Sequence, residues 1–333
     1  YSGFVNGEDS SVLSNLVCTT TYTTTTSVGT TGSSCSGTTA SNYSFAYTAG
    51  VITVTQGGQT SALTISSTSV TYGSTLSLTT GGGTGSGLNS FVVDSGPCTV
   101  SVSTLTPTAA GTCMVTATKA ANGNYLVSSS ASTAITVNPK GLSITGLTGV
   151  NKEFDNGVVG TATGTPTLFG KVGSDDVLLS GTPTFTFGAA AVTNGHTLTA
   201  SGYTLTGTTA SNYTLTQPTV TANITAKAAR VAATNTTVAF GAAVTSGVIA
   251  SGLISPDAVG SASYTYTGTG TATPPTAVGV YTVTPSNAVF SAGSIGNYTI
   301  SYDTATVTIL AKYTITYNAN GGTVASSSTT TAD

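Results

Sequence analysis

The chain has 333 residues, with 7 Lys and Arg against 10 Asp and Glu, a net charge of -3, one His and no Trp. Charged residues make up 5% of it, against roughly 25% in ordinary soluble domains, so its surface is hydrated by hydroxyls and backbone rather than by ions. That excludes a basic field able to gather phosphates, leaving no electrostatic basis for binding nucleic acid, and the sequence holds no apolar run long enough to span a bilayer.

Thr, Val, Ile and Tyr favour pleated, half-buried surfaces and 41 Gly supply turns, so the expected fold is all-β, with no segment of helical period. A chain this long fits four or five small domains better than one core. The pairs Asn42-Tyr43, Asn124-Tyr125, Asn212-Tyr213 and Asn297-Tyr298 lie 82, 88 and 85 residues apart. About ten residues after each comes a β-branched run, ending at Val54, Val137, Thr225 and Ile309. A fixed interval of this size marks a tandem array, here of Ig-like β-sandwiches. A disordered, mucin-like stalk would not place tyrosines and alternating runs at repeat positions. The chain begins at Tyr1 without a signal peptide, as a processed or excised segment would.

The first segment, 1–56, carries Phe4-Val5-Asn6-Gly7-Glu8, then Cys18 and Cys35, then Ser41-Asn42-Tyr43 and Gly50-Val51-Ile52-Thr53-Val54. It resembles the later two-thirds of an MBG domain of bacterial surface adhesins. That resemblance implies that its opening strands come from elsewhere, in cis or from a neighbouring copy. The second, 57–139, runs from Leu63-Thr64-Ile65 through Gly81-Gly82-Gly83 and Cys98 to Ala109-Ala110-Gly111-Thr112-Cys113 and Val115-Thr116-Ala117. It is similar to a bacterial immunoglobulin-like domain, with the two cysteines flanking a hairpin.

The third, 140–227, has Lys152-Glu153-Phe154-Asp155-Asn156-Gly157 and Gly173-Ser174-Asp175-Asp176-Val177 before its Asn-Tyr pair. These resemble the YDG domain of filamentous haemagglutinin-type adhesins, with Phe154 in place of the usual Tyr and Asn156 intervening before Gly157. The fourth, 228–312, resembles a complete MBG domain, with strands at Val278–Val283 and Asn297–Tyr302 and with Pro274-Pro275 restricted to an edge or loop. The tail, 313–333, opens as a Listeria/Bacteroides repeat does. Its alternating Tyr313, Ile315 and Tyr317 also suit a strand donated to the first domain of a neighbouring copy, a head-to-tail contact that would propagate as a fibre.

Four cysteines allow three pairings, and only Cys18 with Cys35 and Cys98 with Cys113 stays inside single repeats. Free thiols or a metal site are the alternatives, but there is no Cys-x-x-Cys and His196 is far away. Disulfides point to an extracellular compartment. His196 lacks any nucleophile motif around it and reads as a loop histidine, so no catalytic residue is assigned and the chain is not expected to be an enzyme. Asp175-Asp176 lacks the spacing that wraps Ca²⁺ and reads as a solvated turn, so no metal or other cofactor is expected. Lys119, Lys152 and Lys171 could enter Lys-Asn cross-links only beside a buried carboxylate, and read instead as strand-edge lysines.

The Asn-Tyr pairs have a structural explanation. Tyr43, Tyr125, Tyr213 and Tyr298 would bury their rings at the start of a late strand and bond their hydroxyls to upstream backbone, as a tyrosine corner does. Asn42, Asn124, Asn212 and Asn297 would occupy turn positions tolerant of positive φ. The expectation is a structural region of an extracellular bacterial surface protein, an adhesin stalk or fibre subunit, partnered by other copies or further repeats. The rival is a carbohydrate- or mucin-binding module, in which 15 Tyr would have to replace the absent Trp as stacking platforms.

Overall fold

A computed structural model of the chain describes residues 1–268 and 273–313. Its strands form an all-β tandem of small Ig-like sandwiches, the only helices among the described residues being three short 3₁₀ turns. Ile315 and Tyr317, assigned to a donated strand, lie outside the described residues, and Tyr313 is 64% exposed.

The first repeat has one antiparallel sheet in which Gly29–Ser36 lies between Val17–Thr20 and Gly50–Val54. Cys18 and Cys35 face each other across its first pair and are joined. In the second repeat Gly111–Lys119 lies at the centre of the larger sheet, bonded to Ser128–Ser129, Thr133–Asn138 and Asn89–Ser95. Alternation along that strand is strict: Cys113, Val115 and Ala117 are fully buried while their neighbours face outward, the period-two pattern of a strand with one face on a core. The joined Cys98 and Cys113 tie this sheet to the smaller one, in which Cys98–Ser101 pairs with Thr104–Pro107.

The third and fourth repeats share one plan. The opening strand, Lys140–Gly149 or Lys227–Ala233, is the middle of a three-stranded sheet beside the strand that starts with the Asn-Tyr tyrosine, Tyr213–Leu215 or Tyr298–Asp303. The chain then crosses to the second sheet, where Lys152–Glu153 or Thr236–Ala239 pairs in parallel with the last strand, Thr219–Thr225 or Ala305–Leu310. An asparagine pins each crossing: the side chain of Asn151 accepts the Asn223 N–H at 2.7 Å, and that of Asn235 the Thr306 N–H at 2.8 Å. The second repeat closes in the same way, Ser69–Thr71 running parallel to Thr133–Asn138.

Single residues, Pro139 and Ala226, separate the last strand of one repeat from the first strand of the next. The chain divides into two compact units whose limits ignore the repeat limits. One holds residues 1–142 with 170–178 and 206–214; the other holds 143–169, 179–205 and everything from 215 onward. Within the second unit one apolar cluster runs through both repeats, joining Phe154, Phe187, Leu198 and Ile224 of the third to Ala229 and Tyr298 of the fourth.

Candidate functional site at the repeat junctions

The Asn-Tyr pairs are where the repeats are joined. In the third repeat, Val172 begins a tight turn closed by the Asp175 N–H on the Val172 carbonyl at 3.1 Å. The Val172 N–H donates to the Tyr213 hydroxyl at 2.9 Å, and that hydroxyl donates to the Asp175 carboxylate at 2.5 Å. The fourth repeat has the same turn at Ile254 to Asp257, whose first N–H reaches Tyr298 at 3.0 Å and whose carboxylate accepts the Tyr298 hydroxyl at 2.7 Å. In the first repeat Val5 and Glu8 do this for Tyr43. Each hydroxyl therefore has both its donor and its acceptor capacity used, as the buried phenols of Tyr213 and Tyr298 require, while Tyr43 makes the same bonds half-buried.

Burial, reinforced by the Asp175 carboxylate, pushes the Tyr213 phenol up to about 12. Tyr298 is raised by burial and Tyr43 by its bond to Glu8. Tyr125 departs from the others. It opens its late segment in parallel with Gly57, but it is only half-buried and its hydroxyl makes neither corner bond. The physical reason is in the sequence: the stretch Thr80 to Val93 contains no carboxylate to receive it.

The asparagines do not sit at positive φ, as expected of them; that conformation belongs to Asn6, Asn15, Asn156 and Asn287. Asn212 and Asn297 instead end one-turn 3₁₀ helices, Ala210–Asn212 and Ile295–Asn297, which aim the amide out of the repeat. Each then accepts a backbone N–H from the preceding repeat. Val28 donates to Asn124 at 3.1 Å, Ala110 to Asn212 at 2.8 Å and Val192 to Asn297 at 3.1 Å. The three donors are equivalent, each being the residue just before a long strand: Gly29–Ser36, Gly111–Lys119 or Thr193–Thr206. Asn212 is one of the two buried polar residues among those described, at 5% exposure.

An aromatic ring from the preceding repeat completes the joint. Tyr72 meets Tyr213 edge to face at 5.6 Å between centroids, and Phe154 meets Tyr298 likewise at 5.5 Å. Both follow the short parallel strand of their own repeat, and both are buried, at 7% and 2%. The Tyr72 hydroxyl adds a bond to Asp175 at 2.9 Å. Lys227 reaches Glu153 at 2.7 Å, an exposed pair that contributes little, at most about 1 kcal/mol. Sequence reading missed the donors, the aromatic partners and the acidic turns. The signal was present as Val5-x-x-Glu8, Val172-x-x-Asp175 and Ile254-x-x-Asp257, an aliphatic residue and an acid three apart some 40 residues before each tyrosine.

Other candidates fall elsewhere. Asp175 is engaged by two tyrosines, whereas Asp176 lies exposed at the turn and accepts the Thr208 N–H at 2.9 Å and its hydroxyl at 3.0 Å, so the turn is solvated at Asp176 and bonded into the joint at Asp175. Those Thr208 bonds hold the Asp176 carboxyl below its usual range. His196 lies in the strand Thr193–Thr206, not in a loop, with Nε2 2.8 Å from the Ala191 carbonyl and its ring against Phe187. Lys152 contacts Asp155 and the Gly157 carbonyl, both at 2.6 Å, rather than an asparagine, and its ammonium holds the Asp155 carboxyl down.

With this geometry the chain is defined as a tandem of Ig-like repeats. Residues 138–222 match the YDG domain family and residues 1–53 the MBG domain family of the YGX type. These are domain types of extracellular surface repeat proteins. No helix among the described residues is long and apolar enough to cross a membrane. Among curated proteins no relative matches the chain. The solved structures it is similar to include the I9-I11 tandem of titin, at 11% identity over 75% of this chain and 99% of that one, with a TM-score of 0.24. Drosophila N-cadherin EC1-4 matches at 10% identity over 84% and 83% with a TM-score of 0.22. Domains 4-9 of the surface layer protein SbsC match at 13% identity over 84% and 54% with a TM-score of 0.18.

Proposed function

We propose that this chain is a load-bearing spacer in a bacterial surface protein, an adhesin stalk or fibre subunit that performs no catalysis. The observation that carries this reading is the repetition of one joint, an asparagine amide receiving an N–H from the preceding repeat, at three successive junctions. A joint of directed hydrogen bonds, supplemented at the last two junctions by a buried ring and a one-residue linker, resists bending far more than a flexible connection does. Pulling the oxidised chain by its termini in optical tweezers tests it. The expected record is a series of discrete unfolding events with no compliant extension before the first. Free extension at low force, before any repeat unfolds, would reject the spacer.

A second reading, glycan binding, draws on a cavity of about 530 Å³ in the first repeat, lined by Tyr1, Phe4, Tyr43, Phe45 and Tyr47. Stacked Phe45 and Tyr47 are both partly exposed there, as a sugar platform would be. Saturable binding on a glycan array, lost in Phe45→Ala, would favour this reading over the spacer.

A further inference from the structure

The second repeat lies inside the chain, with a repeat on either side, yet it holds its own two ends together differently from the fourth. Tension along a tandem pulls the opening strand of each repeat one way and the closing strand the other. Strands that lie parallel and paired take that pull in shear, along the ladder, so their backbone bonds must break together and not one at a time.

The fourth repeat meets shear in both of its sheets. Residues 227–232 run parallel and in register with 298–303, and Thr236–Ala239 does the same with 307–310. Tyr298 fastens the first of these ladders through its corner with Ile254 and Asp257. Only Thr304 separates Tyr298–Asp303 from Ala305–Leu310, so the entry and the exit of the repeat load the same ladders. The third repeat keeps the corner, through Tyr213, and an opening strand, Lys140–Gly149, hydrogen-bonded on both sides.

The second repeat has much less. In place of the longer ladder it has one isolated bridge between Gly57 and Tyr125, in which the Gly57 N–H donates to the Asn124 carbonyl and the Gly57 carbonyl accepts the Leu126 N–H, both at 2.9 Å. Two glutamine amides supplement it, Gln56 Nε2 donating to the Asn122 carbonyl at 2.7 Å and Gln59 Nε2 to the Leu126 carbonyl at 3.0 Å. Tyr125 makes neither corner bond, so the segment it opens is not tied to an acidic turn. In the other sheet the parallel pairing covers only 69–71 against 136–138. A disulfide then bounds the opening. Buried Cys113 lies in the central strand Gly111–Lys119, and its bond to Cys98 closes residues 98–113 into a loop that tension cannot extend.

We infer that the second repeat is the release element of the array: it opens under tension before the third and fourth, and its disulfide sets how far it extends. The inference rests on reading the chain as a load-bearing spacer. Order under force follows the barrier along the direction of pull, and is separate from whether neighbouring repeats melt together.

Force-ramp optical tweezers on the full chain carrying Cys18→Ser and Cys35→Ser test it, because the one remaining disulfide then marks the second repeat. The marked event is the one that lengthens in dithiothreitol, by about 50 Å for a separation of 15 residues no longer looped. It should come first among the three largest events, with and without reductant. Gln59→Ala should lower its force further and leave the other events unmoved. A marked event that follows either of the other two overturns the inference while the spacer reading stands. A marked force that Gln59→Ala leaves unchanged does the same, since the entry of the repeat would then not be its barrier. Extension without discrete events removes the spacer reading, and the release element with it.

Discussion

Tyr213 shows how much of a joint one hydroxyl can hold, since it serves Val172 and Asp175 in its own repeat while its ring receives Tyr72 from the previous one. Tyr213→Phe keeps the ring and leaves the Val172 N–H without its acceptor, while Asp175 Oδ2 retains only the bond from the Tyr72 hydroxyl. It should cost about 1 to 3 kcal/mol in urea titration, whereas Tyr213→Ala, which empties a buried site, should cost about 3 to 5 kcal/mol. Equal losses in the two variants would deny the hydroxyl its part. The same group gives a pH dependence of known sign. Its folded pKa of about 12 lies above the ordinary phenol value of 10.0, so between those limits the unfolded chain releases a proton that the folded one keeps. Stability from this source is complete below pH 10 and declines toward pH 12, and Tyr213→Phe should flatten that decline in melting curves recorded across the interval.

Two features of single strands and turns govern the repeats individually. In the second repeat a disulfide spanning 15 residues joins its two sheets, and closing a loop of that length contributes about 3 kcal/mol. Reduction should therefore lower the melting temperature of the second repeat and leave the cysteine-free fourth unchanged; differential scanning calorimetry with and without reductant reads both. The second feature is the glycine ahead of each Asn-Tyr turn. Gly207 and Gly293 adopt φ of +107° and +81°, and a Cβ would collide with the Asp176 carbonyl at the first and the Asp257 carboxylate at the second. Gly293→Ala should strain the backbone at φ +81°, push the Asp257 carboxylate off the Tyr298 hydroxyl and cost more than the few tenths of a kcal/mol typical of a surface change. Tyr298 absorbance would report the loss, because the phenol, raised chiefly by burial, is raised also by the bond to Asp257 that the variant disturbs.

Along the array, the consequence of the joints is coupling between neighbours. Asn212→Ala leaves the half-buried Ala110 N–H without its acceptor, and combined with Tyr72→Ala it removes both parts of the joint between the second and third repeats. In the wild type these repeats should unfold in one calorimetric transition, and in the double variant in two. Two transitions already in the wild type would mean the joint holds position without transmitting stability. Phe154→Ala and Phe240→Ala make a matched pair at equivalent positions, each N–H bonded to the last strand of its own repeat. The first should cost about 3 to 5 kcal/mol and the second under about 1 kcal/mol, since only the first ring lies in a covered site.

The all-β repeat was legible in the sequence because strand alternation and the Asn-Tyr interval are local in the chain: Val115 and Ala117 report their own burial by spacing alone. The exception at Tyr125 was not legible in this way: the stretch from Thr80 to Val93 lacks a carboxylate, but only the structure shows that the corner needs one there. What Asn212 does was not legible. Turn propensity suggested positive φ, but the residue closes a 3₁₀ turn and its side chain serves an N–H 102 residues away. Likewise nothing in the local sequence distinguishes buried Phe154 from exposed Phe240, each of which follows a short strand. Local chemistry sets which residues can form a joint, but only packing decides which of them has a neighbour to cover it.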